Sequence, residues 1–268
     1  MSEPRNRRRW AWERWVAPWI TFAVMVTLWQ LAVSVFDLPK IILPSPLEVA
    51  RVFVDQRQEI LDATWVTFLE IITAYALSIV LAVGLAVLFS QSRLLRLSVY
   101  PYAIFLKTLP IIAIAPIVVI WMGEGFWAVV VVAWIVAFLP ILTNTIEGLL
   151  SVPRNLIDLM KLYGANRLQI LLKLQLPHSL PYVLVGCKIS SVSCVLGAVV
   201  AEIFVGYLNQ PGIGYRIFTE KDINVPGMYA YIIVSGLIGI SLFALTSWIG
   251  NRIVYWRDPL ADDAGYAD

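Results

Sequence analysis

Few side chains in this sequence could carry out covalent chemistry. His178 is the only histidine, and the two cysteines, Cys187 and Cys194, stand on one predicted helix. Their spacing separates them by about 10 Å along a helix axis, which is too far for a disulfide. A zinc enzyme would need a ligand motif such as HExxH, which one histidine cannot supply. We therefore expect no catalytic residue, metal site or cofactor, and we interpret the cysteines as packing residues.

The sequence also contains no complete nucleotide-binding motif. Gly212-Ile213-Gly214 has the glycines of a phosphate-binding turn, but no predicted strand precedes it. The sequence contains no glycine-rich loop followed by Lys and then Ser or Thr. If ATP powers this protein, a separate polypeptide must hydrolyse it.

The elements that must position the remaining polar residues are membrane helices. Of the 268 residues, 60% are hydrophobic and only 14% are charged, which is far more apolar than a soluble domain. The net charge of +2 argues against nucleic-acid binding, which normally shows a basic face. Six apolar runs reach the roughly 20 residues that a membrane helix needs. They are Val16–Phe36, Thr64–Ser90, Val99–Met122, Phe126–Leu150, Pro181–Phe204 and Met228–Tyr255.

The predicted fold is therefore all-α and polytopic, with six transmembrane helices in one domain over residues 16–257. Tails 1–15 and 258–268 flank it. Basic residues collect on the side that holds both tails and the loop 151–180, so the positive-inside rule makes this side cytoplasmic. These residues are Arg5, Arg7, Arg8, Arg9, Arg14, Arg93, Arg96, Arg154, Lys161, Arg167, Lys173, Arg252 and Arg257.

The longest polar-containing segment on that side is 155–177. Apolar residues recur at helical spacing in its first half: Leu156, Leu159, Met160 and Tyr163. Gly164 and Ala165 then interrupt the helix, because glycine accepts the left-handed backbone at which helices end. A second amphipathic run, 168–176, is predicted to stop at Pro177. Such a helix–glycine–helix arrangement is suited to being gripped by another protein. The alternative is an amphipathic helix that rests on lipid head groups.

This segment resembles the EAA loop of ABC-importer permease subunits. Asp158 stands where the motif has glutamate, and Leu159 and Met160 stand where it has two alanines. Gly164, Ala165, Gln169 and the Leu176-Pro177 ending match the motif. The surroundings are similar to the nitrate/sulfonate/taurine-type permeases from about Leu43 to Arg257. The quoted stretches are LKTLPIIAIAPIVVIW (106–121), FLPILTNTIEGLLSV (138–152), LPHSLPYVLVGCKIS (176–190) and GAVVAEIFVG (197–206).

The resemblance implies a type I importer permease fold in the bacterial inner membrane and a transporter subunit that is not itself an enzyme. The implied partners are ATP-binding ABC subunits, an extracytoplasmic substrate-binding protein and a second copy of the chain, because one copy is too small to enclose a route. The implied solute is small and organic. The quoted stretches resemble those of the pyrimidine-precursor and riboflavin branch more than those of the sulfonate or nitrate branches. The implied ATPase-coupling residues are Asp158, Leu159, Met160, Tyr163, Gly164, Ala165 and Pro177.

Four polar residues inside predicted spans are candidates for the translocation pathway or its gate: Lys107, Thr108, Asn144 and Glu202. A lysine near the membrane centre costs about 2.5–3.5 kcal/mol, and the prolines of its span free backbone groups that must face protein or water. The alternative is that Lys107 snorkels to the interface or pairs with Glu147. Glu202 has small neighbours that permit close helix approach, which fits a gate or a dimer seam. Glu70, near the outer face, is expected to be partly hydrated.

A gradient-driven secondary transporter is the alternative function. That class should show internal repeats or paired acids at the membrane midplane, and neither is clear in this sequence. Sensitivity of uptake to vanadate or to ATP depletion separates the two classes.

Overall fold

A computed structural model describes residues 7–92, 108–205 and 211–254, together with positions 94, 98, 102 and 105. Within these residues the chain forms helices joined by short turns, with no strand. The helices are α1 (Arg7–Val35), α2 (Pro46–Asp55), α3 (Arg57–Gln91), α4 (Ile111–Met122), α5 (Phe126–Leu150), α6 (Arg154–Leu162), α7 (Arg167–Ile170), α8 (Leu176–Val205), α9 (Ile213–Glu220) and α10 (Val225–Ile253). A π-helical turn, Leu171–Gln175, joins α7 to α8.

Five of the described helical segments are long and apolar enough to cross a membrane. They are Val16–Val35, Arg57–Gln91, Phe126–Leu150, Arg167–Phe204 and Val225–Ile253. These segments agree with five of the six predicted spans, although α3 begins before Thr64 and α8 begins before Pro181. A short helix, α2, begins at Pro46 between the first two of these segments.

Of the predicted third span, 99–122, the structure describes residues 102, 105 and 108–122. Residues 102, 105 and 108 are helical, Leu109 and Pro110 are non-helical, and α4, of 12 residues, follows. Pro110 precedes α4 with an extended backbone (ψ 126°), so a break at these two residues replaces the uninterrupted span that the sequence predicts. A proline cannot donate the helical hydrogen bond and restricts the residue before it to extended conformations. Lys107 lies outside the described residues.

The core of the bundle is the contact between α5 and α8, which is the most extensive between any two described helices. Small residues let the two backbones approach closely. A Cβ atom added to Gly186 of α8 would lie 2.9 Å from the Cα atom of Ile141. One added to Gly197 would lie 3.0 Å from the Cα atom of Ala133. Helices α3, α4 and α10 pack around this pair.

A second apolar cluster closes one end of the bundle. It joins α2 and α9 to the first turns of α3 and α10 through buried Val49, Ile60, Ala63, Ile213 and Tyr231. The segment α6–α7 follows the other end of α5 and precedes the first turn of α8. Helix α8 is about 45 Å long at 1.5 Å per residue, so it connects the α6 end of the molecule to the α9 end.

Both cysteines are confirmed as packing residues. Cys187 and Cys194 are free and buried in α8.

Candidate functional site

Helix α6 ends in the turn that the glycine at position 164 predicts. Gly164 has φ 76°, and it is the first residue after Tyr163, the helix C-cap. The Gly164 amide donates to the Lys161 carbonyl at 2.9 Å, and the Ala165 amide donates to the Met160 carbonyl at 3.0 Å. This pair of bonds is the Schellman motif, which satisfies the last carbonyl groups of a helix. The predicted helix and its predicted end are confirmed.

Helix α6 presents its apolar side chains to the outside of the chain. None of its residues is buried. Leu159 is 48% exposed, Leu162 is 85% exposed, and Tyr163, just after the helix, is 83% exposed. Asp158 and Lys161 form a solvent-exposed ion pair with a 3.1 Å separation. Leu162 belongs to this exposed surface although the periodicity argument did not select it.

A capping box that sequence reasoning missed begins α7. The backbone N–H of Gln169 donates to the side-chain oxygen of Asn166 at 2.8 Å, and the backbone N–H of Asn166 donates to the side-chain oxygen of Gln169 at 2.8 Å. Asn followed by Gln three residues later is the local signal that could have revealed it. The box fixes the start of the second helical run directly after the Gly164 turn.

The prediction that Pro177 stops this second run is wrong. The π-helical turn Leu171–Gln175 leads directly into α8, and Pro177 occupies the first turn of that helix. A proline is tolerated there because the first amides of a helix have no partner within the helix. His178 also lies in α8, and its Nε2 atom is 3.1 Å from the Ser151 Oγ atom.

The base of the α6–α7 segment is held to both central helices. The Gln175 side chain lies 3.5 Å from the Leu149 carbonyl of α5. A Cβ atom on Gly148 would lie 2.7 Å from Tyr182 Cβ and 3.0 Å from Ser179 Cα, so α5 and α8 touch here without room for a side chain. Helices α5 and α8 are therefore in direct contact at the end of the bundle from which the α6–α7 segment extends.

The candidate pathway residues occupy separate places. Thr108 is exposed, and its hydroxyl donates to the Phe105 carbonyl at 2.7 Å. The side-chain NH₂ group of Asn144 donates to the Pro140 carbonyl at 2.8 Å, and the Cβ atom of Asn144 faces Gly186 of α8. From Gly186 to Glu202 the distance along α8 is about 24 Å at 1.5 Å per residue. Asn144 and Glu202 thus do not belong to one cluster.

Glu202 is buried among polar partners at the α9 end. Its Oε1 atom accepts a hydrogen bond from the Thr67 hydroxyl at 2.6 Å. Its Oε2 atom accepts from the Gly214 amide at 2.5 Å. The Thr67 oxygen in turn accepts from the Ile213 amide at 2.8 Å. Glu70, one turn along α3, also hydrogen-bonds to the Glu202 side chain.

Thr67 is the member of this group that sequence reasoning missed, since nothing in its neighbourhood in the chain signals a partner in α8. The expectation that Glu70 is partly hydrated is wrong, because its side chain is fully buried in the bundle. A hydrogen bond between the Glu70 and Glu202 carboxyl groups needs a proton on one of them, so the pair carries at most one negative charge, and Glu202 also accepts from Thr67 and Gly214.

Comparison with known proteins shows what these helices are. The family described as "Binding-protein-dependent transport system inner membrane component" matches residues 74–255. The chain belongs to this family. It is therefore a permease subunit of an ABC transporter and an inner-membrane component, as the EAA-like loop predicts.

Relatives and a solved structure support this membership along nearly the whole chain. Formylaminopyrimidine transport permease protein ThiX of Halalkalibacterium halodurans is 33% identical over 244 residues, covering 90% of this chain and 95% of ThiX. Riboflavin transport system permease protein RibX of Chloroflexus aurantiacus is 29% identical over 256 residues, covering 94% of each chain. A chain of the inward-facing MetNI methionine ABC transporter superposes with a TM-score of 0.64 at 18% identity, covering 74% of this permease and 98% of that chain. The predicted type I importer fold is confirmed.

Proposed function

We propose that this permease serves the import of a small nitrogen heterocycle of the pyrimidine or flavin type. The support is that relatives named for formylaminopyrimidine and riboflavin match 90% and 94% of this chain. The test is uptake of labelled formylaminopyrimidine, riboflavin, taurine and nitrate by proteoliposomes that contain the complete transporter. Uptake confined to taurine or nitrate would contradict this substrate class.

The proposed ATPase-coupling element is α6 together with the Gly164 turn. The observation that carries this proposal is a short amphipathic helix whose apolar side chains face outwards, including Leu159 and Tyr163. Nine residues are too few for a stable isolated helix, so the Schellman turn and the attachment to α5 and α8 must hold it. An apolar helix face presented in this way suits insertion into a groove on an ATPase subunit.

The other coupling residues have supporting roles in this proposal. Asp158 lies in the middle of α6, outside the first turn in which the helix dipole favours a carboxylate, and it pairs with Lys161. Met160 and Ala165 supply the two ends of one Schellman bond. Pro177 stands where the segment enters α8. When two ATPase subunits close on ATP, the docked helices move as rigid bodies and tilt the spans, which alternates access to the transport route.

Association with the ATPase subunit tests the docking proposal. Leu162→Ser and Tyr163→Ser are expected to weaken binding at least tenfold while the purified permease unfolds at the wild-type temperature, because both side chains are exposed. Ile223→Ser is the matched control, since Ile223 is 87% exposed but lies just after α9. Wild-type ATPase affinity in both α6 variants would refute the docking role.

The proposed orientation places both tails (1–15 and 258–268) and the α6–α7 segment in the cytoplasm. The support is the basic residues of that segment, Arg154, Lys161, Arg167 and Lys173. A membrane-impermeant maleimide should label Lys161→Cys only in inside-out vesicles and Ile223→Cys only in right-side-out vesicles. Native Cys187 and Cys194 are buried, so they add little background. Reversed labelling would reverse the topology.

The proposed assembly is a homodimer of this permease with two ATPase subunits and an extracytoplasmic binding protein. The support is that one copy of six predicted spans is too small to enclose a solute route by itself. Native mass spectrometry of the active complex should show two permease chains, and an active complex with a single chain would refute the dimer.

Asn144 and Glu202 remain our proposed pathway and gate residues, together with Thr108 and Lys107. Asn144→Ala is expected to raise the half-saturation concentration for solute, and Lys107→Met to lower the uptake rate. Unchanged uptake in the Lys107 variant would remove it from the route.

A further inference from the structure

The first turn of α9 is bound by side chains of two other helices. Ile213 and Gly214 are its first two residues, and the opening amides of a helix have no partner within the helix. The Ile213 amide donates to Thr67 Oγ1 of α3, and the Gly214 amide donates to Glu202 Oε2 of α8. A carboxylate at this position is also favoured by the helix dipole. Thr67 and Glu202 are hydrogen-bonded to each other at 2.6 Å. Thr67, Glu202 and the Ile213 and Gly214 amides therefore form one polar node that three helices share.

The two glycines at this node leave no room for a side chain. A Cβ atom on Gly214 would overlap the Val199 carbonyl oxygen and lie 2.9 Å from Glu202 Cβ. A Cβ atom on Gly212 would overlap the Glu202 carboxylate itself. The backbone at the start of α9 therefore lies directly against the Glu202 carboxylate, with no space for a side chain between them.

A second contact ties the middle of α9 to α3. Arg216 forms an ion pair with Glu59, with Nη1 3.2 Å from Oε2. Ile213 is fully buried in the apolar cluster with Tyr231. At the first turn of α9 the hydrogen bonds from the Ile213 and Gly214 amides thus run to α3 and α8, while the Ile213 side chain packs against Tyr231 of α10.

We propose that Thr67 and Glu202 are positioning residues that make α9 move together with α3 and α8. Helix α8 begins at the α6–α7 segment and carries Glu202 near its other end. A tilt of α8 that starts at the ATPase end is thereby delivered to α9 on the opposite face of the membrane. The transport consequence rests on the proposed function, whereas the attachment itself does not.

Hydrogen exchange of the full-length permease in nanodiscs tests the attachment without any partner. Thr67→Val removes the hydroxyl that both accepts from Ile213 and donates to Glu202. Exchange of the amide at 213 should rise about tenfold, because this amide loses its Thr67 acceptor, and exchange at 214 should rise less, because Glu202 is still present. Thr67→Ser keeps the hydroxyl and should exchange as wild type. Thr64→Val is the matched control, because the Thr64 hydroxyl bonds only to the Ile60 carbonyl of its own helix.

Protection of α5 amides in the same samples shows whether each variant is folded. Glu202→Leu is the second variant, because it removes both acceptor oxygens, whereas glutamine would keep one oxygen that can accept from the Gly214 amide. Exchange at 213–214 that is unchanged in a folded Thr67→Val or Glu202→Leu protein overturns the proposal. Should Thr67→Val fail to fold, Glu202→Leu alone decides it.

Transport kinetics test the consequence. In the complete transporter, Thr67→Val should lower the maximal uptake rate at least fivefold, with ATPase binding and the half-saturation concentration of the binding protein unchanged. Thr67→Ser should restore the rate. Loss of ATPase binding in Thr67→Val, or a wild-type uptake rate, would refute the proposal that movement of α8 is passed to α9 during transport. If the wild-type transporter shows no ATP-dependent uptake, the proposed function fails while the exchange result still stands.

Discussion

The hydroxyl groups of Tyr75 on α3 and Thr246 on α10 are hydrogen-bonded at 3.1 Å. The Tyr75 hydroxyl also lies 3.0 Å from the Cys187 carbonyl of α8. Three helices that are far apart in sequence therefore meet at one phenol group inside the bundle. Polar contacts of this kind join membrane helices because lipid offers no competing partner.

We predict that Tyr75→Phe destabilises the bundle by about 0.5–1.5 kcal/mol, because both contacts are lost while the ring still packs. Thr246→Val should cost less. Tyr75 keeps its bond to Cys187, and the Thr246 hydroxyl has only one proton to divide between Tyr75 and the Leu242 carbonyl 2.8 Å away. Denaturant unfolding in one detergent measures both. The double variant should cost about as much as Tyr75→Phe alone, and full additivity would contradict the shared bond.

Gly186 supplies a second prediction about the α5–α8 contact. Gly186→Ala should destabilise the protein by about 1–3 kcal/mol, because the new methyl group meets the backbone of Ile141 and Pro140, which cannot move aside. Gly84→Ala is the control, since nothing lies within 4 Å of its added Cβ atom. Alanine there should be neutral or stabilising by up to about 1 kcal/mol through its helix propensity. Equal unfolding temperatures for the two variants would show that α5 and α8 are less closely packed.

The features that sequence predicted correctly are those with local signals. The apolar spacing of α6 and the glycine after it lie within ten residues of each other, and a glycine C-cap is a property of the helix end itself. Membrane spans are similarly legible because the bilayer imposes a length and a composition on each one. The EAA-like pattern added the family, which neither periodicity nor composition could have provided.

The features that sequence could not predict depend on contacts between distant helices. Thr67 and Glu202 are 135 positions apart, and a polar residue in an apolar helix has the same appearance whether it faces lipid, water or a partner. Glu70 illustrates this, since its burial reverses the expected hydration. The prediction at Pro177 fails because a proline is found both after the end of a helix and in the first turn of one. The π-helical turn that precedes it, which the sequence does not signal, places Pro177 in the first turn of α8.

Gly164 supplies a third prediction, at the end of α6. Its φ of 76° is a left-handed conformation that costs a residue with a Cβ atom about 1–2 kcal/mol. Gly164→Val should therefore open the Schellman turn, and hydrogen exchange at Gly164 and Ala165 should rise by about tenfold or more. Gly164→Asn should have a smaller effect, because asparagine tolerates this region. Gly236→Ala, at a helical glycine with open space around it, is the control. Exchange in the valine variant that equals the control would show that the turn does not depend on glycine.

Glu48 supplies the last prediction, a pH dependence at the α9 end. The side chain of Lys40 and the Ser45 amide hydrogen-bond to the carboxylate and hold the pKa of Glu48 below its usual value of 4.5. A lowered pKa in the folded state means that this stabilisation is complete above pH 4.5 and is lost as the pH falls through the folded-state pKa.

The matched variant is Glu48→Gln, which keeps the capping box with Ser45 but loses the ion pair with Lys40. Hydrogen exchange of α2 should be faster in the variant than in the wild type at pH 6, by a few-fold because the pair is partly exposed. The two proteins should converge once the pH falls below the folded-state pKa of Glu48, where protonated glutamate resembles glutamine. A wild-type advantage that persists at that pH, or one that appears only there, would contradict the assignment. Comparing the proteins at equal pH removes the intrinsic pH dependence of exchange, so the convergence reports the Glu48 carboxylate itself.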